Sequence, residues 1–235
     1  MTTAERVGGR LSRIDLDDIV RAGRELGMRR LSVKAVAAEL GVTSTALYRH
    51  VAGRWELERL VGESILAELV LDDDPADGVD RHLLSFALQL RAFALAHPGV
   101  TRYLQTLFPR GDGGRRALAA EVDALVRRGY DTEAAIVLSG AAAGLTIAMT
   151  ASEENSAAAE REDADGLERE RRAATELLAG DGRLGAAHTG LPQVERPDYV
   201  RMLLTAAIRG LVEVAPPGRP VAEFVAELAA AGKGL

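Results

Sequence analysis

At 235 residues and 47% apolar side chains, the chain has room for a small module and a larger one, each with its own core, and is too apolar to be disordered. It has no cysteine, which excludes a disulfide framework and any thiolate metal site. The net charge of −6 is unevenly spread: residues 1–60 carry 11 Lys/Arg against 8 Asp/Glu, and the remainder 18 against 27, so only the N-terminal part suits a polyanion.

The pattern is helical almost throughout, with no convincing period-2 strand, and an all-α fold is expected. Met1–Arg13 is polar and lacks the apolar core of a secretory signal. Asp15 caps a first helix, with Asp17 and Asp18 in its first turn, Ile14 and Ile19 forming a hydrophobic staple, and Gly27 at its end. Ser32 opens a second helix that buries Val33, Val36, Ala37 and Leu40. After a break at Gly41-Val42, a short third helix runs from Thr43 to His50 with Ala46, Leu47 and Val51 inward. A fourth spans Arg54 to about Leu71. The acidic turn Asp72–Asp77, with Pro75, marks a boundary.

Further helices are expected at 78–96, 99–108 and 114–129, with Gly111–Gly114 as a flexible connection. An uncharged helix follows at about 132–151, then a charged segment Glu153–Arg172, an irregular Gly-rich stretch to Arg196, and two last helices near 198–214 and 220–231. Ala134–Ser152 holds no charge over 19 residues, near bilayer-spanning length. Its Ala, Gly, Ser and Thr content favours a buried interface helix, and no membrane partner is expected.

Two short helices joined at a glycine, with a third to pack against, form the helix-turn-helix plan. The outward residues of the second short helix are Thr43, Ser44, Thr45, Tyr48, Arg49 and His50: hydroxyls, a guanidinium and an imidazole, without a carboxylate. Such a face fits a major groove about 12 Å wide. A solvated helix of an ordinary bundle shows the same periodicity, so the pattern alone leaves both options open.

Leu31–Val51, with Trp55-Glu56-Leu57, resembles the DNA-binding domain of TetR-family repressors over about residues 14–65. The Leu-Gly-Val turn followed by Ala-Leu-Tyr-Arg-His-Val looks nearest the tetracycline-repressor branch. Arg49 stands where that branch has an aromatic residue, so its base preference does not carry over. The resemblance implies a helix-turn-helix domain at 1–60 and a larger helical effector-binding and dimerisation domain at 61–235. It further implies that Ser32 and Lys34 meet phosphate and a nearby base, that Thr43, Ser44 and Thr45 enter the groove with Arg49, and that Tyr48 and His50 bond phosphates. Tyr48 packing half-buried is compatible with that role. Arg54 would clamp the backbone at a helix N-terminus. Trp55 is expected to pack between the two domains.

Phe86, Gln89, Leu90, Phe93, Arg102, Tyr103, Thr106 and Thr146 are the expected lining of an effector pocket, with Gln105 also in reach by spacing. A filled core is the rival explanation for each. Gly140, Gly144 and Ile147 on the uncharged helix, with Leu203 and Leu211 near the C-terminus, are expected at the four-helix interface of a homodimer, which the resemblance places at Ala134–Met149 and Tyr199–Val214. The four histidines, His50, His82, His97 and His188, show no ligand-like pairing, and His97-Pro98 belongs where a helix ends. No metal, cofactor or catalytic constellation is expected, and nothing aligns with a tetracycline–magnesium site. The expected function is a cytoplasmic repressor released from a palindromic operator by a small apolar effector. A helical carrier or enzyme, a membrane-anchored regulator, and an activator on the same fold are the alternatives.

Overall fold

The computed structural model describes residues 14–192 and 194–233; the polar segment Met1–Arg13 lies outside the described residues. Among the described residues all regular structure is helical.

The head is built by local signals. α1 (Leu16–Leu26) starts at Asp15, whose carboxylate accepts from the Asp18 amide at 2.9 Å, while Asp18 reaches back to the Asp15 amide, a complete capping box. Ser32 and Thr43 cap α2 (Val33–Glu39) and α3 (Ser44–Leu47) in the same manner, accepting from Ala35 and Ala46 at 3.1 Å each. Between them Gly41 takes φ +65°, and the amides of Val42 and Gly41 bond the Ala37 and Ala38 carbonyls at 2.9 and 3.1 Å. That Schellman turn reverses the chain and needs a residue free to enter left-handed space. α3 is shorter than the sequence suggests: residues 48–50 continue as a turn in which Arg49 and His50 bond back three residues. α4 (Arg54–Leu66) closes a core of Ile19, Val36, Leu47, Val51, Leu57 and Val61.

α4 stops at Leu66, before the expected Leu71, and the chain crosses the acidic linker into the body. The linker is fixed by cations: Arg128 donates to Asp73 (2.6 Å) and to the Asp74 and Asp77 carbonyls (2.7 and 3.1 Å), and Arg127 to Asp73 (2.7 Å). The body consists of α5 (Val79–Ala96), α6 (Val100–Thr106), α7 (Asp112–Arg127), α8 (Thr132–Glu162), α9 (Ala164–Ala179), α10 (Gly182–Thr189), α11 (Arg196–Val214) and α12 (Val221–Lys233). α8 is central, packed by α5, α6, α7 and α11. It has the length and mean hydropathy (1.8) of a bilayer-spanning helix. Ser139, Thr146 and Thr150 each donate to the carbonyl four residues back at 2.6–2.8 Å, and one side of the helix is packed by protein while Ile136, Val137, Gly140 and Gly144 stay exposed.

Two expectations fail here. Gly111–Gly114 is no flexible connection: Gly113 and Gly114 are buried in the first turn of α7, and a Cβ on Gly113 would lie 2.7 Å from the Glu63 carbonyl. Close approach, to α4 at Gly113 and to Phe108 and Pro109 at Gly114, explains these glycines. The stretch read as irregular, from 173 to Arg196, is largely helical: α9 runs to Ala179 and α10 fills Gly182–Thr189, while the charged segment before it extends α8 to Glu162 and opens α9. Asp163 and Asp181 cap the new helices, and Arg171–Glu160 and Arg172–Glu168 pairs line their surface. α9 and α10 pack on each other and bury no residue.

Candidate nucleic-acid interface and effector cavity

The head presents one polar face. Ser32, Lys34, Thr43, Thr45, Tyr48, Arg49 and Arg54 are exposed, while Ser44 and His50 are half-buried. Tyr48 is 56% exposed, a large amphipathic ring that the protein leaves uncovered. Among the described residues Lys34 and Arg49 join no ion pair. Arg54 leans on Glu58 one turn along α4 (2.6 Å), an exposed pair worth at most about 1 kcal/mol and readily exchanged for a phosphate. The Ser32 and Thr43 hydroxyls accept their capping bonds through oxygen, which leaves each O–H able to donate to a further acceptor.

Trp55 does not pack between head and body. It is 62% exposed, and Arg110 donates to its carbonyl at 2.9 Å with the guanidinium 5.6 Å from the indole centre. The joint is made instead by a residue that the sequence assigns to a pocket. Tyr103 on α6 is buried under α4, its ring against Gly62 and its hydroxyl donating to Glu63 at 2.8 Å. Burial, with the Glu63 carboxylate, pushes the phenol well above its usual range. The other Glu63 oxygen accepts from the Gly114 amide at the start of α7 (2.8 Å). A second joint lies behind it: Glu154 accepts from Thr101 (3.0 Å) and the Gly99 amide (3.3 Å), and Arg29 of the head donates to the Glu154 carbonyl (3.1 Å).

Beneath α4 an apolar cavity of about 340 Å³ opens between α5, α6, α7 and α8. Leu66, Leu69 and Leu71, at the end of α4 and the linker, form one wall; Phe86, Leu90, Leu104 and Ile147 contribute others. Of the expected lining, Phe86 and Leu90 are here. Gln89 is not, because its amide group clasps the Asp72 backbone (2.7 and 2.9 Å). Phe93 stacks on His97, ring centres 4.4 Å apart. Arg102 and Thr106 face outward, Tyr103 serves the joint, and Thr146 is turned into its own helix. Gln105, Leu107 and Phe108 do border the cavity. Glu121, Ser139 and Leu118 also line it, beyond the lining read from the sequence. For Glu121 a signal exists: it falls at helical spacing among Ala117, Leu118, Val122 and Leu125, an acid on an apolar face.

The expected dimer residues divide. Gly140, Gly144 and Ile147 border the cavity, the two glycines exposed and with open space where a Cβ would stand. Leu211 lies in an apolar groove between α8, α11 and α12 with Val137, Leu145, Gly210 and Leu228, and Leu203 is exposed on the same helix as Leu211.

Neither a protein-family profile nor a curated protein sequence matches the chain. Solved structures do match in three dimensions. ActR of Streptomyces coelicolor, a TetR family protein in complex with actinorhodin, superposes with a TM-score of 0.71 at 20% identity, over 88% of this chain and 100% of that one. A putative transcriptional regulator of S. coelicolor A3(2) gives 0.60 at 24% identity over 87% and 100%. A substituted form of TetR from Acinetobacter baumannii AYE, in complex with minocycline, gives 0.58 at 19% identity over 86% and 98%. The chain thus has the fold of TetR-family regulators, an N-terminal helix-turn-helix head on a helical body, along nearly its whole described length.

Proposed function

We infer that the chain is a TetR-type transcription regulator: a homodimer that binds operator DNA through its two heads and lets go when a small, mainly apolar effector fills the cavity. The observation that carries this is the uncovered face of α3 and its turn, with Thr43, Thr45, Tyr48 and Arg49 exposed and no carboxylate among them, on a head whose α4 runs straight into the cavity wall. Lys34 and Arg54 flank that face and supply phosphate contacts; Ser32, Ser44 and His50 complete it. Solved structures of the same fold hold actinorhodin in one case and minocycline in another, which supports a ligand in the body of this one.

The dimer would form on α8 and α11. Val137, Leu145, Leu203, Gly210, Leu211 and Val214 give these helices an apolar side that the protomer leaves open, and Gly144 admits a close neighbour. A two-fold axis there presents two heads to successive major grooves. Effector binding controls DNA only by favouring a conformer in which the heads are mis-spaced, and Leu66, Leu69 and Leu71 are the residues through which it would act on α4. A coupling of about 3 kcal/mol would weaken DNA binding roughly 150-fold.

The deciding experiment is selection from a random duplex library, followed by affinity measurement across salt. A two-fold-symmetric site whose affinity falls steeply with added salt is the expected result. Retention of no preferred duplex, or a flat salt response, would remove DNA binding. A reporter driven from the selected site then distinguishes repression, which is expected, from activation.

A further inference from the structure

The cavity wall is apolar apart from three side chains, and they do not offer the same chemistry. Gln105 stands at the rim and is exposed. Inside, Ser139 already commits its proton to the Ala135 carbonyl at 2.6 Å, and can only accept. Glu121, 3% exposed, is the other interior group. His82, equally buried, holds its Oε1 through Nε2 at 3.1 Å. Oε2 has no donor among the described residues, yet it is not among the buried atoms sealed without a partner. The cavity is the space Glu121 lines.

Behind Glu121 the charges alternate. His82 Nδ1 lies 3.0 Å from Asp73, and Asp73 accepts from Arg128 at 2.6 Å and Arg127 at 2.7 Å. The imidazole thus stands between two carboxylates, and through Nε2 it occupies Glu121 Oε1. Among the described residues these side chains do not form a metal-holding group.

We propose that the cavity selects an uncharged, mainly apolar ligand carrying a hydroxyl that donates its hydrogen bond to Glu121 Oε2. Both interior polar groups accept and neither donates, so a ligand without a donor covers a carboxylate oxygen that has no hydrogen bond, and an anionic ligand brings another acceptor where a donor is needed. A cationic ligand must shed its own hydration to enter a cavity walled mainly by apolar side chains. This rests on the cavity being the effector site inferred above.

The test is calorimetry on the full-length protein without DNA, using four probes of one skeleton: 1-naphthol, 1-methylnaphthalene, 1-naphthoate and 1-naphthylmethylammonium. Naphthol should bind roughly tenfold to hundredfold more tightly than methylnaphthalene, the worth of a hydrogen bond to a charged acceptor. It should also bind more tightly than either ion. Equal affinity of naphthol and methylnaphthalene, tightest binding of an ion, or no binding by any probe overturns the proposal. A folded Glu121→Leu variant should bring naphthol and methylnaphthalene within about threefold of each other; a persisting preference also overturns it. If that variant does not fold, the probe series on the unaltered protein decides. Failure to bind DNA would leave this result standing, and failure here would leave the DNA inference standing.

Discussion

At Gly62 the head's last helix lies close against Tyr103 of the body, and replacing it with alanine tests whether that contact is rigid. A methyl group there would lie 2.7 Å from Tyr103 Cζ and 2.8 Å from both Cε atoms, against about 3.4 Å for ordinary contact. The ring cannot swing aside freely, since its hydroxyl is bonded to Glu63 and Arg110 covers it at 4.8 Å. Two effects oppose each other. Alanine in a helix interior gains about 1 kcal/mol over glycine. Overpacking a fixed site costs about 1–3 kcal/mol. The net expectation is a loss of up to about 2 kcal/mol, or a Tm lowered by as much as about 4–8 °C for a chain of this size. Urea unfolding with an unchanged m value would show that the change is in stability. If the proposed DNA complex is titrated with effector, the variant should need more effector or release incompletely, because α4 and α6 no longer share one packing. A Tm raised by the propensity gain alone, with release unaltered, would refute the idea that α4 is locked to α6.

Other outcomes follow from the same structure. Arg49→Ala should weaken binding to the selected duplex by about 1–3 kcal/mol and relax base preference at one position per half-site, whereas Lys34→Ala should weaken all duplexes alike and flatten the salt slope by about one per head; competition binding separates them. Gly144→Glu should weaken the dimer by tenfold or more, about 1.4 kcal/mol, read by light scattering over a dilution series, and an undiminished dimer would take α8 out of the interface. Asp73 is held down at about 2, chiefly by its hydrogen bond to Arg128, from an ordinary 3.8. Its folded-state value is the lower one, so its stabilisation of the linker is complete above pH 3.8 and drains away as pH falls toward 2. That share is about 1–2 kcal/mol, and Asp73→Asn should remove it from the acid-unfolding profile.

The head is legible in the sequence because its signals are local. Asp15, Ser32 and Thr43 cap helices within three residues of themselves, and Gly41 sets a turn by its own backbone freedom. What the sequence hides is what depends on distant neighbours. Gly113 and Gly114 carry the signature of a loop, and only the approach of Glu63 and Leu66 reveals them as a packed helix start. Phe93 shares a helical stripe with Phe86 and Leu90, but it lies a turn further along, beside His97 rather than beside the cavity. Gln89 sits next to Leu90 along the helix, yet its partner is the Asp72 backbone on the side away from the cavity lining. The glycines after Arg172 suggest an irregular segment, although its Ala and Leu content favours the helices that form.

Ser32 and Thr43 close helices with one side of their oxygen, so two positions on the face proposed to meet DNA are bound to the head's own architecture. Valine in their place would loosen α2 or α3 before any contact with a duplex was lost, and aspartate would keep the helix while turning a negative charge toward phosphate. On the proposed function, retargeting to a new site is channelled to Ser44, Thr45 and Arg49, whose side chains make no hydrogen bond or ion pair among the described residues.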